Sequence, residues 1–184
     1  GDNSEALSSR IYIGSMPPDT ASVMVWRFRE LFAEPSYLCG EAVQKQGDNA
    51  SKQATQAINR RGPLEIMWKM VGRTDPLIMV NGISHSTGSE YETQSIVVTR
   101  QSITAVKDSL ADGLNVEGEV TPIPMDGTTV YKVTSPTESS NGAEDDKPTV
   151  TSFIAFPDDH TVVVTEDIDD IQHMIRSLNE QNGE

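Results

Sequence analysis

The stretch from Thr149 to Leu178 limits the folds open to this chain more than any other. Thr151-Ser152-Phe153-Ile154-Ala155-Phe156 and Thr161-Val162-Val163-Val164-Thr165 are β-branched and aromatic runs. Such residues suit a pleated, half-buried surface. Between them, Pro157-Asp158-Asp159-His160 predicts a turn with Pro157 at its second position. Proline has a fixed φ and no N–H, and aspartate bonds its own backbone. From Asp167 onward the apolar period lengthens. Ile168, Ile171, Ile175 and Leu178, widened by Met174, form one stripe, the mark of an amphipathic helix. Thr165 or Asp167 is placed to cap it, and Asp169 and Asp170 suit the positive end of its dipole. The unit is strand, turn, strand, helix, with the helix lying across one face of the sheet.

Earlier residues extend that sheet. Ile11-Tyr12-Ile13 reads as a short strand or an extended lead-in, and Met16-Pro17-Pro18-Asp19-Thr20 as a turn. Ala21 to Phe28 reads as a strand with apolar residues on both faces, which predicts a central position. A broken helix is expected over residues 36–61 and a further helix from Leu64 to Val71, with Pro63 at its first position. Strands follow over Pro76–Ile83 and Glu92–Thr99, then a helix capped by Ser102 that ends at Gly113. The order strand, strand, helix thus occurs twice, which raises two β-β-α pseudo-repeats as the organisation. Val116–Ile123 and Thr128–Val133 form a hairpin about Asp126-Gly127, a strong turn signal. The expectation is one α+β domain over residues 11–180, with a mainly antiparallel sheet and helices packed on one face. Residues 1–10 form a flexible N-terminal segment, and residues 135–148 a mobile acidic loop without apolar anchors.

Charge narrows the partners. The chain has a formal net charge of −14, and nineteen of its 28 acids but five of its 14 bases lie after residue 75. Such a field repels phosphate backbones and anionic membrane surfaces, so nucleic acid is excluded as a partner. No apolar run of about 18 residues predicts a membrane span. Cys39 is the one cysteine; it reads as a small buried residue, since no base stands ready to activate it.

No catalytic or cofactor signature is legible. Asp158, Asp159 and His160 are the nearest approach to a metal or acid–base set. Neighbours on a turn do not converge on an ion by themselves, so turn formation accounts for them first. Asp167, Asp169 and Asp170 lack the glycine and the distant glutamate of a calcium loop, and helix capping accounts for them better. Ser84-His85-Ser86-Thr87-Gly88 lacks the first glycine of a nucleophile elbow.

Four segments occur in a set order. They are Pro18-Asp19-Thr20-Ala21-Ser22-Val23, Ser95-Ile96-Val97-Val98-Thr99, Asp126-Gly127 followed by Val130-Tyr131, and Phe156-Pro157-Asp158-Asp159-His160-Thr161-Val162-Val163. This pattern, over roughly residues 11–180, resembles the uncharacterised α+β domains of planctomycete secreted and cell-envelope proteins. The resemblance transfers no activity and no functional residue. It implies an extracytoplasmic protein from which a signal peptide has been removed, and a non-enzymatic role. The leading expectation is therefore a non-catalytic binding or structural module with a protein partner. The other is a small-ligand binder or hydrolase whose site is assembled from distant residues.

Overall fold

The computed structural model describes residues 10–27, 76–85, 91–113, 118–136 and 149–182. The segment 1–9, the helices expected within 36–71, Cys39 and the loop 137–148 lie outside the described residues. The elements are a short helix α1 over residues 10–14, then β1 (Thr20–Arg27), β2 (Pro76–His85), β3 (Tyr91–Thr99) and α2 (Thr104–Ala111). They continue with β4 (Glu119–Met125), β5 (Thr128–Pro136), β6 (Thr149–Asp158), β7 (Thr161–Thr165) and α3 (Ile168–Asn182).

The strands form one seven-stranded sheet in the order β1-β2-β3-β7-β6-β5-β4. Every pairing is antiparallel. The fold is α+β. Side chains alternate between the faces of a strand, and the register turns that rule into rows. Val25, Val80, Ile96, Val163, Ala155, Val130 and Ile123 stand side by side across all the strands on one face. On the other face Met24, Asn81, Ser95, Val164, Ile154, Tyr131 and Pro122 form a second row.

Among the described residues both faces carry a helix. Ile171, Met174, Ile175 and Leu178 of α3 pack with Val80, Ile96, Val163, Ala155 and Val130. On the opposite face Ile103 and Leu110, at the start of and within α2, pack with Met79, Val97, Tyr131, Ile154 and Val164. The expectation of helices on a single face is thus corrected. The cause lies in β3 and β7. Ile96-Val97-Val98 and Val162-Val163-Val164 are apolar on both sides, and both sides need a cover. The correction bears on the repeats too. Strand, strand, helix does recur, as β2-β3-α2 and β6-β7-α3. A two-fold axis normal to the sheet would relate antiparallel β3 and β7, and it would keep both helices on one face. They lie on opposite faces, so the units are not superposable copies.

Three local expectations change. Residues 11–13 belong to helix α1, not to a strand. Ser135 and Pro136 end β5 and do not open a loop. Pro157 lies inside β6, where the register with β7 shifts between Ala155 and Asp158. A proline has no ladder hydrogen, so an irregularity there is the expected response. The larger change concerns β1, which among the described residues is an edge strand, not a central one. Its apolar residues stay exposed: Val23 36%, Met24 45%, Val25 37% and Trp26 41%.

Candidate functional site

The sequence candidates Asp158, Asp159 and His160 stand at the β6–β7 turn, Asp158 bonded there through its side chain, Asp159 through its backbone and His160 through both. The Asp158 carboxylate accepts the His160 N–H at 2.7 Å and the Thr161 hydroxyl at 3.0 Å. The Asp159 carbonyl accepts the Ile103 N–H at 2.8 Å, and the His160 carbonyl accepts the Thr99 N–H at 2.8 Å. His160 Nδ1 lies 3.2 Å from the Thr99 carbonyl. The turn therefore ties the β6–β7 hairpin to the junction of β3 and α2. Among the described residues no three His, Cys, Asp or Glu side chains gather to hold a metal ion. Tyr12 of α1 joins this corner. Burial and then the Asp158 charge raise its phenol above the ordinary range, while a bond with Thr161 lowers it.

A second polar locus forms at the other end of β7, under the start of α3. Gln94 of β3 is fully buried and stands opposite Gly82. Its amide nitrogen donates to Ser84 Oγ at 2.8 Å and to Asp170 Oδ2 at 3.2 Å. Its Oε1 has no partner, and neither has the buried Thr20 Oγ1. Gly82 makes the room. A Cβ there would come within 3.0 Å of Gln94 Oε1 and Thr20 Cγ2 and 2.9 Å of Met16 Sδ. The helix start is well capped: Asp167 Oδ1 accepts the N–H of Asp169 at 2.7 Å and of Asp170 at 3.2 Å. Asp167, not Thr165, is the N-cap. Glu166 accepts the Thr93 N–H at 2.8 Å.

Charge accumulates here. Burial, then the charges of Asp167, Asp19 and Glu92, push the Asp170 carboxyl up to about 6, against a bond from Gln94. Burial, Asp167 and Asp19 raise Glu92 as well. Asp170 can thus exchange a proton near neutrality. Among the described residues the Ser84 hydroxyl faces the Gln94 amide, which donates to it. The sequence placed Asp170 at a helix start and missed its role beside Gln94. The available signal was a glutamine between Thr93 and Ser95, directly before the apolar run Ile96-Val97-Val98.

The third locus is the sheet's outer margin, and its two edges differ. β4 carries Pro122, Pro124 and Glu119, which remove donors and add charge, the usual protection of an edge. β1 carries neither proline nor acid, and both of its faces are apolar. No helix of the described chain is long and apolar enough to cross a membrane. No family model, curated protein or solved structure matches the chain.

Proposed function

We propose that the chain is a non-catalytic binding module of the cell envelope that takes a protein strand at its β1 edge. One observation carries this reading: β1 is apolar and exposed on both faces, while the opposite edge is blunted by two prolines. An open edge gives an added strand its main-chain hydrogen bonds, and the flanking side chains give it selectivity. The envelope location rests on the planctomycete resemblance of the sequence. The commitment of Asp158 and His160 to the turn supports a non-catalytic role.

The test is binding of extended apolar peptides, followed by the fluorescence of Trp26. Binding that is lost in Val25→Lys, with the fold intact, is the expected result. Lack of binding by every peptide would overturn the reading.

A second reading, a small-ligand site assembled from distant residues, is favoured by the unpartnered oxygens of Gln94 and Thr20 next to Asp170. Thermal unfolding against divalent ions and small polar metabolites separates the two. A ligand at about 100 times its Kd would add roughly 2.7 kcal/mol. Such a shift, abolished in Gln94→Leu, would move the assignment to that locus.

A further inference from the structure

We infer that the side chain of Gln94 is a two-position switch between β3 and α3, its amide turning over when Asp170 takes up a proton. This goes beyond the reading of the β1 edge and does not rest on it.

In the first position Gln94 Nε2 donates to Ser84 Oγ at 2.8 Å and to Asp170 Oδ2 at 3.2 Å. Both amide hydrogens are used, and an ionised carboxylate is the acceptor that suits them. The cost falls on the other side of the amide. Gln94 Oε1 is buried with no partner, and so is Thr20 Oγ1. Such atoms have lost water and gained nothing in exchange.

The second position removes that defect. Half a turn of the amide exchanges oxygen and nitrogen, two atoms of similar size, about a torsion that is broad and two-fold. Oε1 then stands where Nε2 stood, against Ser84 Oγ and Asp170 Oδ2. A hydroxyl donates as readily as it accepts, so Ser84 serves either position. A carboxyl does not. Ionised, it repels the amide oxygen; protonated, it donates to it. The proton on Asp170 therefore selects the position. Nε2 meanwhile moves to the side of Gly82 and Thr20. Gly82 leaves it room, since a Cβ there would stand 3.0 Å from the present Oε1. Thr20 Cγ2 is 3.0 Å from that same point. The second unpartnered oxygen thus belongs to a side chain that borders the space Nε2 enters.

The surroundings favour the proton. The charges that bear on Asp170 are Asp167 on its own helix, Asp19 ahead of β1 and Glu92 of β3, all acidic. Glu166, at the β7–α3 junction, accepts the Thr93 N–H. His173, the next base along α3, lies 3.5 Å from Ser177 Oγ. Helix α3 covers one face of the sheet, and its first turn meets β3 at this amide. The switch makes the seating of that turn depend on pH, with the more fully bonded state on the acid side.

The experiment is NMR of the full chain between about pH 8 and about pH 5, following the side-chain amide protons of Gln94. Their nuclear Overhauser contact with the Thr20 methyl should strengthen as pH falls, with a midpoint near 6. In Asp170→Asn the contact should no longer change with pH. Asp19→Asn removes one like charge and leaves the partners of the amide in place. There the change should persist, with its midpoint at lower pH. A contact in wild type that is indifferent to pH would overturn the inference, even if the Asp170 resonances titrate. So would a change that persists in Asp170→Asn, or a midpoint in Asp19→Asn that is not lowered.

Discussion

Together with Glu92, which is raised as well, the Asp170 carboxyl contributes to the pH response. Its folded pKa of about 6 lies above the ordinary carboxyl value, so the native state holds this proton more tightly than the unfolded chain. Its contribution to stability is fully present below about pH 4, and it is lost as pH rises through about 6. The protein should therefore gain stability between pH 7 and about pH 5. Asp170→Asn should remove that gain and be the more stable form at pH 7. The site is half-buried, so solvent screening holds the difference to about 1 kcal/mol. Urea unfolding of both forms at a series of pH values reads it. Two glycines make a second residue-scale contrast. Gly118 has φ +134, and a Cβ there would run into the Thr134 carbonyl oxygen. Gly113 has φ +69 with open space around it. Gly118→Ala should cost about 3 kcal/mol and Gly113→Ala about 1, by the same unfolding measurement.

At the scale of elements, the turn that closes β6 and β7 is a brace. Asp158→Ala should lower stability by about 1 kcal/mol through loss of its two hydrogen bonds. Neither the variant nor wild type should respond to a chelator in a thermal melt. A chelator effect on wild type alone would restore the metal reading of Asp158, Asp159 and His160. Helix α3 fastens one face of the sheet. Met174 and Ile175 are fully buried, so truncation of either to alanine should cost about 2–5 kcal/mol. Most of this level was legible in the sequence, because local chemistry alone specifies it. The stripe of α3 follows from its spacing. The Asp126-Gly127 turn follows from the left-handed backbone both residues adopt, at φ 47 and φ 79. The places of strands in the sheet were less legible. Val23 to Trp26 have the composition of an interior strand, and only the long-range pairing shows that β1 is at the edge. Ile96-Val97-Val98 of β3 and Val162-Val163-Val164 of β7 are apolar on both sides, a signal for two covered faces that the expectation of helices on a single face passed over. The site beneath α3 was hidden for a related reason. Gln94, Ser84, Asp170 and Thr20 are far apart in sequence and meet only through the register of the sheet.

For the whole molecule, net charge and edge chemistry act together. Salt screens long-range repulsion within about 10 Å at 0.1 M. The folded form of a chain that carries −14 should therefore gain stability as salt rises, since folding brings its like charges together. Thermal unfolding at low and high salt checks the sign. The guarded edge offers a converse experiment. Pro122→Val and Pro124→Val together restore two backbone donors to β4. They should produce larger, concentration-dependent assemblies in light scattering, because both edges are then open.

The sheet order has a further consequence, in time. β3 and β7 lie side by side at its centre, yet Val98 and Thr161, which face each other there, are far apart along the chain. Every other neighbouring pair of strands except β1 and β2 is joined by a much shorter connection. One long closure therefore unites the β1-β2-β3 and β4-β5-β6-β7 parts of the sheet. Topology of this kind slows folding more than it weakens the final state. During synthesis β1, β2 and β3 emerge early, with apolar residues on both sides and no cover from α3. The first half of the chain thus waits for its last thirty or so residues, and the interval before β7 arrives is when a newly made copy is most exposed to misassembly.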